Sequence, residues 1–147
     1  MKTALIKVNG GSPRQAIIDL FKAMLEQRIV DALIVPQEVP SRRMVVPTLV
    51  VSSDGLASAI PFAPVAIINA ARAVSRLTAT DPGIKVGAIL RPCEILALVE
   101  IAKLRQATLE RILIIGVDCL GTFEPTDYYH CPENCASLKS TGPSKEN

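Results

Sequence analysis

Four cysteines are the residues of this sequence whose type and spacing suggest chemistry. They are Cys93, Cys119, Cys131 and Cys135, separated by 25, 11 and 3 intervening residues. Four thiolates can hold an iron–sulfur cluster or a structural zinc ion. The spacing matches neither the cysteine run of bacterial ferredoxins nor paired Cys-x-x-Cys zinc knuckles, and cysteine is also a common apolar core residue. The pattern alone therefore leaves a cluster, a zinc site and core packing open.

The first two cysteines each follow a predicted strand. Residues 85–90 and 111–117 are apolar runs typical of strands, and the segment 91–105 between them has the spacing of a helix. Such a unit is expected to be right-handed, with its two strands parallel and adjacent. Because ligands bind at the carboxyl edge of open α/β sheets, we expect Cys93 and Cys119 to emerge together at a ligand-binding edge.

The residues around Cys93 favour negative charge, both on the thiol itself and on a bound cofactor. Cys93 falls in the first turn of its predicted helix, where free amides and the positive end of the helix dipole favour a thiolate. Arg91 is placed to hold an anionic cofactor. Glu94 is a residue that helix N-termini favour without any functional role.

The last two cysteines follow in the segment that leaves strand 111–117. Cys131 and Cys135 are close enough in sequence to fold back over the same edge. All four thiols could then converge on one metal centre.

A second candidate site is the turn formed by Gly10, Gly11 and Ser12. It connects a predicted strand, 3–8, to a predicted helix, a setting in which backbone amides can hold phosphate. The turn lacks the full glycine fingerprint of dinucleotide-binding folds, so ordinary turn geometry is the alternative. Ser12 is also expected to cap the helix by accepting the Gln15 amide, with the Gln15 side chain reaching back.

Strands alternate with helices along the body of the chain. We predict strands at 3–8, 31–35, 44–51, 85–90 and 111–117, helices at 12–28, 65–77 and 91–105, and a polar loop at 37–43. Pro47 favours a sheet edge or a bulge for the first half of its strand. The alternation predicts an α/β fold, a single compact domain over residues 1–135 with a largely parallel sheet flanked by helices. Residues 136–147 are polar and aperiodic, and are predicted to be a disordered tail.

Composition excludes several classes of protein. Hydrophobic residues make up 49% and charged residues 20% of the 147-residue chain, which is a globular balance. A net charge of +2, with basic residues scattered, argues against nucleic-acid binding. No window approaches the ~18 apolar residues of a membrane span, and no secretory signal is visible. We therefore expect a cytoplasmic protein, whose thiols serve as metal ligands or catalytic groups more often than as disulfides.

Two segments around the first two cysteines resemble a known family. They are Ile89-Leu90-Arg91-Pro92-Cys93-Glu94-Ile95 and Ile115-Gly116-Val117-Asp118-Cys119-Leu120-Gly121-Thr122. With the stretches 50–54 and 61–74, the likeness covers most of residues 14–122. The segments resemble the beta-subunit family of deazaflavin-coenzyme hydrogenases and dehydrogenases, which includes formate dehydrogenase beta subunits. The family's Pro-Cys and Gly-x-x-Cys cluster motifs fall on Cys93 and Cys119.

The resemblance implies an iron–sulfur flavoprotein subunit that passes electrons between a partner oxidoreductase and a two-electron carrier. We accordingly expect a [4Fe–4S] cluster on Cys93, Cys119, Cys131 and Cys135, with FAD as a further cofactor. The carrier would be a deazaflavin coenzyme or NAD, and the partner a catalytic oxidoreductase chain, with oligomerisation open. Such a subunit would have no independent turnover.

This sequence also departs from the family. It is short and lacks the usual C-terminal half, and Cys131 and Cys135 are one residue further apart than in the family's Cys-x-x-Cys pair. The alternative function is a non-catalytic docking or assembly module, whose cysteines are structural or bind zinc.

Overall fold

The computed structural model describes residues 5–8, 12–39, 44–119 and 121–130. Its elements are α1 (Pro13–Glu26), β1 (Ala32–Val39), β2 (Met44–Val50), a 3₁₀ turn (Ser53–Leu56), α2 (Ala70–Leu77), β3 (Val86–Leu90), α3 (Pro92–Lys103), β4 (Ile112–Gly116) and α4 (Pro125–His130). The strands form one sheet in the order β2-β1-β3-β4. β1, β3 and β4 are parallel, and β2 is antiparallel to β1. The predicted α/β fold with a largely parallel sheet is confirmed.

Helices cover both faces of this sheet. On one face α1 packs Ile18, Phe21 and Met24 against residues of β1 and β3. On the other face α2 and α3 pack Val74 and Leu98 against the alternate residues of the same strands. Every residue of β3 is buried, as expected for a strand covered on both sides. Packing on both faces therefore fixes the carboxyl end of β3.

The helix α1 begins at the predicted cap. The hydroxyl of Ser12 accepts a hydrogen bond from the Gln15 amide at 3.3 Å. The prediction that the Gln15 side chain reaches back to Ser12 is wrong, because that side chain donates a hydrogen bond to Asp19 at 2.8 Å instead. Asp19 lies one turn further along the helix, where an i,i+4 partner is within reach.

The predicted N-terminal strand is wrong over its described part. Residues 5–8 belong to no strand, and Leu5 is 96% exposed. A strand needs a neighbour whose backbone completes its hydrogen bonds. Both central strands of the sheet, β1 and β3, already have neighbours on both sides. Residues 5–8 pair with neither edge strand, β2 or β4, so their apolar character alone does not make them a strand.

The strand β1 is longer than the sequence predicts. The expected end at Val35 is wrong, since β1 continues to Val39. Pro36 faces Pro47 of β2 in the ladder. This suits a non-hydrogen-bonded pair, in which neither residue has to donate to its partner. The first three residues of the predicted loop 37–43 are therefore strand, and the other four lie outside the described residues. The edge position predicted for the strand of Pro47 is confirmed.

The second helix starts later than predicted. The expected start at Val65 is wrong, because α2 begins at Ala70, five residues further on. Asn69 caps it by accepting the Ala71 amide at 2.9 Å. Val65 instead packs with Val45 in a small apolar cluster beside the sheet.

Replacing Ser12 by alanine removes the oxygen that caps α1. We expect the free energy of unfolding to fall by about 1 kcal/mol, the usual cost of losing such a cap, in urea denaturation monitored by circular dichroism. Ser12→Asn keeps a capping oxygen and should be nearly neutral. If both variants were as stable as the unmodified chain, the cap would contribute nothing to stability.

Candidate functional site

The candidate site lies at the carboxyl ends of β3 and β4. Leu90 pairs with Gly116 in the parallel ladder, and the Val117 amide donates to the Leu90 carbonyl at 3.0 Å. Cys93 and Cys119 each follow their paired strand end by three residues. Both thiols are free and exposed. The two cysteines thus follow adjacent parallel strands at one edge of the sheet, as predicted.

Arg91 is an electrostatic neighbour of both cysteines. Burial by itself lowers the pKa of Arg91. The hydrogen bond to Glu94 and the charge of Glu94 raise this pKa, and Cys93 and Cys119 add weaker electrostatic contributions in the same direction. The net result is that the pKa of Arg91 is raised. The guanidinium is therefore within electrostatic range of both sulfur atoms.

The Glu94 carboxylate fixes the position of Arg91. Glu94 is 4% exposed. Its Oε2 accepts hydrogen bonds from the Arg91 amide at 2.9 Å and from Arg91 Nε at 3.3 Å. Its Oε1 accepts hydrogen bonds from Arg91 Nη2 at 3.1 Å and from the Ala70 amide at 3.0 Å. Burial by itself raises the pKa of Glu94, but these hydrogen bonds hold that pKa below its usual value. One carboxylate thus joins the first turns of α2 and α3.

This role of Glu94 is what the sequence does not reveal. The spacing of Arg91 and Glu94 matches a capping box, which would have predicted the bond to the Arg91 amide. The bond to Ala70, 24 residues earlier, depends on how α2 packs beside α3. No local pattern signals that contact.

One side of the Arg91 guanidinium has no partner. Its Nη1 is buried and makes no hydrogen bond with any of the described residues. Arg91 also lines a cavity of about 20 Å³, whose other walls include Pro36, Pro61 and Val65. That space fits one water molecule or a single polar group. The arrangement leaves one buried cationic donor of Arg91 unpaired among the described residues.

The chain that follows β4 runs back toward β2. The Phe123 amide donates to the Pro64 carbonyl at 2.8 Å. Tyr128 of α4 packs against the cluster that contains Val45 and Val65. Residues of this cluster also line the cavity beside Arg91. The segment leading to the last two cysteines therefore passes close to the candidate site.

The structure describes only part of the predicted site. Gly10, Gly11, Cys131 and Cys135 lie outside the described residues. Across 5–8, 12–39, 44–119 and 121–130, no group of three or more His, Cys, Asp and Glu side chains is arranged to hold a metal ion. The described part of the site therefore contributes two thiols and one guanidinium, and convergence of all four thiols stays a prediction.

Replacing Glu94 by glutamine leaves the partly buried Arg91 cation without a counter-ion. We expect the free energy of unfolding to fall by about 3 kcal/mol, in the range found for breaking buried ion pairs. The matched control is Glu100→Gln, which breaks the exposed pair between Glu100 and Lys103. Exposed pairs contribute little, so the control should lose less than about 1 kcal/mol.

The same pair predicts a pH dependence. Because the folded-state pKa of Glu94 is lowered, its contribution is complete above the usual carboxyl pKa and is lost as the pH falls through the lowered value. Unmodified protein should therefore lose stability on acidification more steeply than Glu94→Gln. Equal acid slopes of the unfolding free energy in the two proteins would contradict this account of Glu94.

Part of the chain is similar to known proteins. No family model matches the chain. The chain is 27% identical over 110 residues to the F420-dependent formate dehydrogenase subunit beta of Methanocaldococcus jannaschii. It is 30% identical over 113 residues to the F420-dependent formate dehydrogenase 1 subunit beta of Methanococcus maripaludis. Each match covers 75% of this chain and 28% of the relative, so it spans less than a third of the relative's length. The predicted resemblance to formate dehydrogenase beta subunits is confirmed, and it is partial.

Proposed function

We propose that this chain is an electron-transfer subunit of an iron–sulfur and flavin oxidoreductase. It would pass electrons between a partner dehydrogenase or hydrogenase and a two-electron carrier. The observation that carries the proposal is the placement of Cys93 and Cys119 beyond adjacent strand ends, both within electrostatic range of Arg91. The similarity to beta subunits of formate dehydrogenases supports the same class of protein.

The two described thiols are the proposed first half of a cluster site. Cys93 and Cys119 are free and exposed, so both sulfurs are accessible to iron. Cys131 and Cys135 are the proposed remaining ligands, and Cys131 directly follows α4 in the sequence. A [4Fe–4S] cluster held by these thiolates supplies one-electron transfer when it is bound.

Arg91 has two proposed roles at this site. Its positive charge would stabilise the negative charge that thiolate ligands bring to the sheet edge. Its charge would also attract an anionic group of a bound cofactor at the sheet edge, whereas the buried Nη1 has room only for a water molecule or a single polar group. The cofactors that the resemblance implies are FAD and either a deazaflavin coenzyme or NAD.

The turn of Gly10, Gly11 and Ser12 is the second proposed cofactor contact. The Ser12 hydroxyl already accepts the Gln15 amide. A phosphate at this turn would accept from backbone amides, and the Ser12 O–H, which the bond to Gln15 does not use, would be a further donor.

The partner in this proposal is a catalytic chain. The relatives are named as beta subunits, which places them in complexes with other chains. None of the helices in the described ranges has the length and apolar character that crossing a bilayer requires.

Iron binding tests the proposal directly. After anaerobic reconstitution, the unmodified chain should contain iron and acid-labile sulfide, with the visible absorption of a cluster. Cys93→Ser and Cys119→Ser should each lower bound iron at least about tenfold, since even changes outside the ligand shell cost about that much in metal affinity. Cys131→Ser and Cys135→Ser should have smaller effects because of their unusual spacing.

Leu96→Ser, at an exposed position of α3, is the matched control and should retain full iron content. Circular dichroism should be the same for all variants, so that loss of iron is not loss of folding. Unmodified protein that takes up no iron and keeps four titratable thiols would overturn the proposal in favour of a docking module. A colourless protein loaded with zinc would overturn it in favour of a structural site.

A further inference from the structure

A groove lies between β2 and α2, on the face of the sheet opposite α1. Its volume is about 570 Å³, and its lining includes Ile34, Pro47, Leu49, Ile68, Arg72 and Arg76. None of the predicted cofactor or metal residues is among them. A groove of this size lies in the range of ligand-binding clefts.

The groove exists because β2 is not covered on this face. The helices α2 and α3 pack over β1, β3 and β4 there, and no helix of the described chain covers β2. Ile34 of β1 is 3% exposed, whereas Leu49, its cross-strand partner in β2, is 44% exposed. Ile68 at the same groove is 45% exposed. The apolar floor of the groove is therefore covered at Ile34 and open at Leu49 and Ile68.

Two arginines form the rim of the groove. Arg72 and Arg76 lie one turn apart at exposed positions of α2. Neither makes an ion pair with any of the described residues, and no acidic side chain is among those lining the groove. Two unpaired cations beside an apolar floor favour a partner with both apolar and negative groups.

We propose that this groove docks an amphipathic helix of a partner polypeptide. The helix places apolar side chains on Leu49 and Ile68, and two carboxylates one turn apart pair with Arg72 and Arg76. Residues four apart on a helix lie about 5–6 Å apart, so two helices lying side by side match their charges turn for turn. The docked helix completes the helical layer over β2.

A docked strand fits this face less well than a helix. Pro47 has no amide N–H and lies in the middle of β2, so it interrupts the hydrogen bonds that an added strand needs. Side-chain packing over the open face needs none of these bonds. This docking role does not depend on cluster binding.

The test uses two synthetic helical peptides of about 18 residues, long enough to form helix once docked. Both carry the same apolar leucine face. One has glutamate and the other lysine at two positions one turn apart on the polar edge. By fluorescence anisotropy, the unmodified chain should bind the glutamate peptide at least about tenfold more tightly, and added salt should reduce the difference.

Charge reversal should exchange the preference. The double variant Arg72→Glu/Arg76→Glu should bind the lysine peptide more tightly than the glutamate peptide. Lys7→Glu, an exposed charge reversal in the described segment 5–8, is the matched control and should keep the original preference. Leu49→Ser should weaken binding of both peptides by a similar factor, because it removes part of the shared apolar floor.

Three outcomes would overturn the proposal. The first is equal affinity of the unmodified chain for both peptides, or no binding of either. The second is self-association of the unmodified chain that Arg72→Glu/Arg76→Glu abolishes, which would assign the face to a second copy. The third is binding to vesicles of anionic lipid that the double variant loses, without any preference between the peptides.

Discussion

The Glu94 carboxylate is buried where α2 and α3 begin, and it accepts hydrogen bonds from the Ala70 amide and from both the backbone and side chain of Arg91. A buried carboxylate without such donors would be strongly destabilising. Both helix starts and the guanidinium are therefore held in one place. The ion pair therefore fixes the one cation that has an electrostatic interaction with both Cys93 and Cys119 among the described residues of the candidate site.

The unit from β3 to β4 could be predicted from the sequence because its signals are local. Apolar runs, a helix start and the rule for parallel connections together place Cys93 and Cys119 at one edge. Elements whose limits depend on distant partners could not be predicted. In the sequence Pro36 predicts a strand end, but in the structure it lies opposite Pro47 and the strand continues. Residues 5–8 are predicted as a strand, but no neighbouring strand pairs with them.

The difference between local signals and distant contacts also decides which functional sites could be predicted from the sequence. Arg91 stands out in the sequence because it adjoins Cys93, whereas the groove is visible only once β2 is known to lack a covering helix. Pro47 and Ile68 line both the groove and the cavity beside Arg91. A helix docked in the groove would therefore contact residues that also line the cavity beside Arg91. Docking and electron transfer are thus proposed for adjoining surfaces of one sheet.

The central claim is that Cys93 and Cys119 lie together at the carboxyl edge of the sheet, and thiol cross-linking tests it most directly. In a chain carrying Cys131→Ser and Cys135→Ser, a short bismaleimide should link the two remaining thiols within one molecule. Mass spectrometry should then find one linker per monomer, joined to the peptides of Cys93 and Cys119. Two singly attached linkers, or links only between molecules, would show that the thiols lie too far apart to share a site.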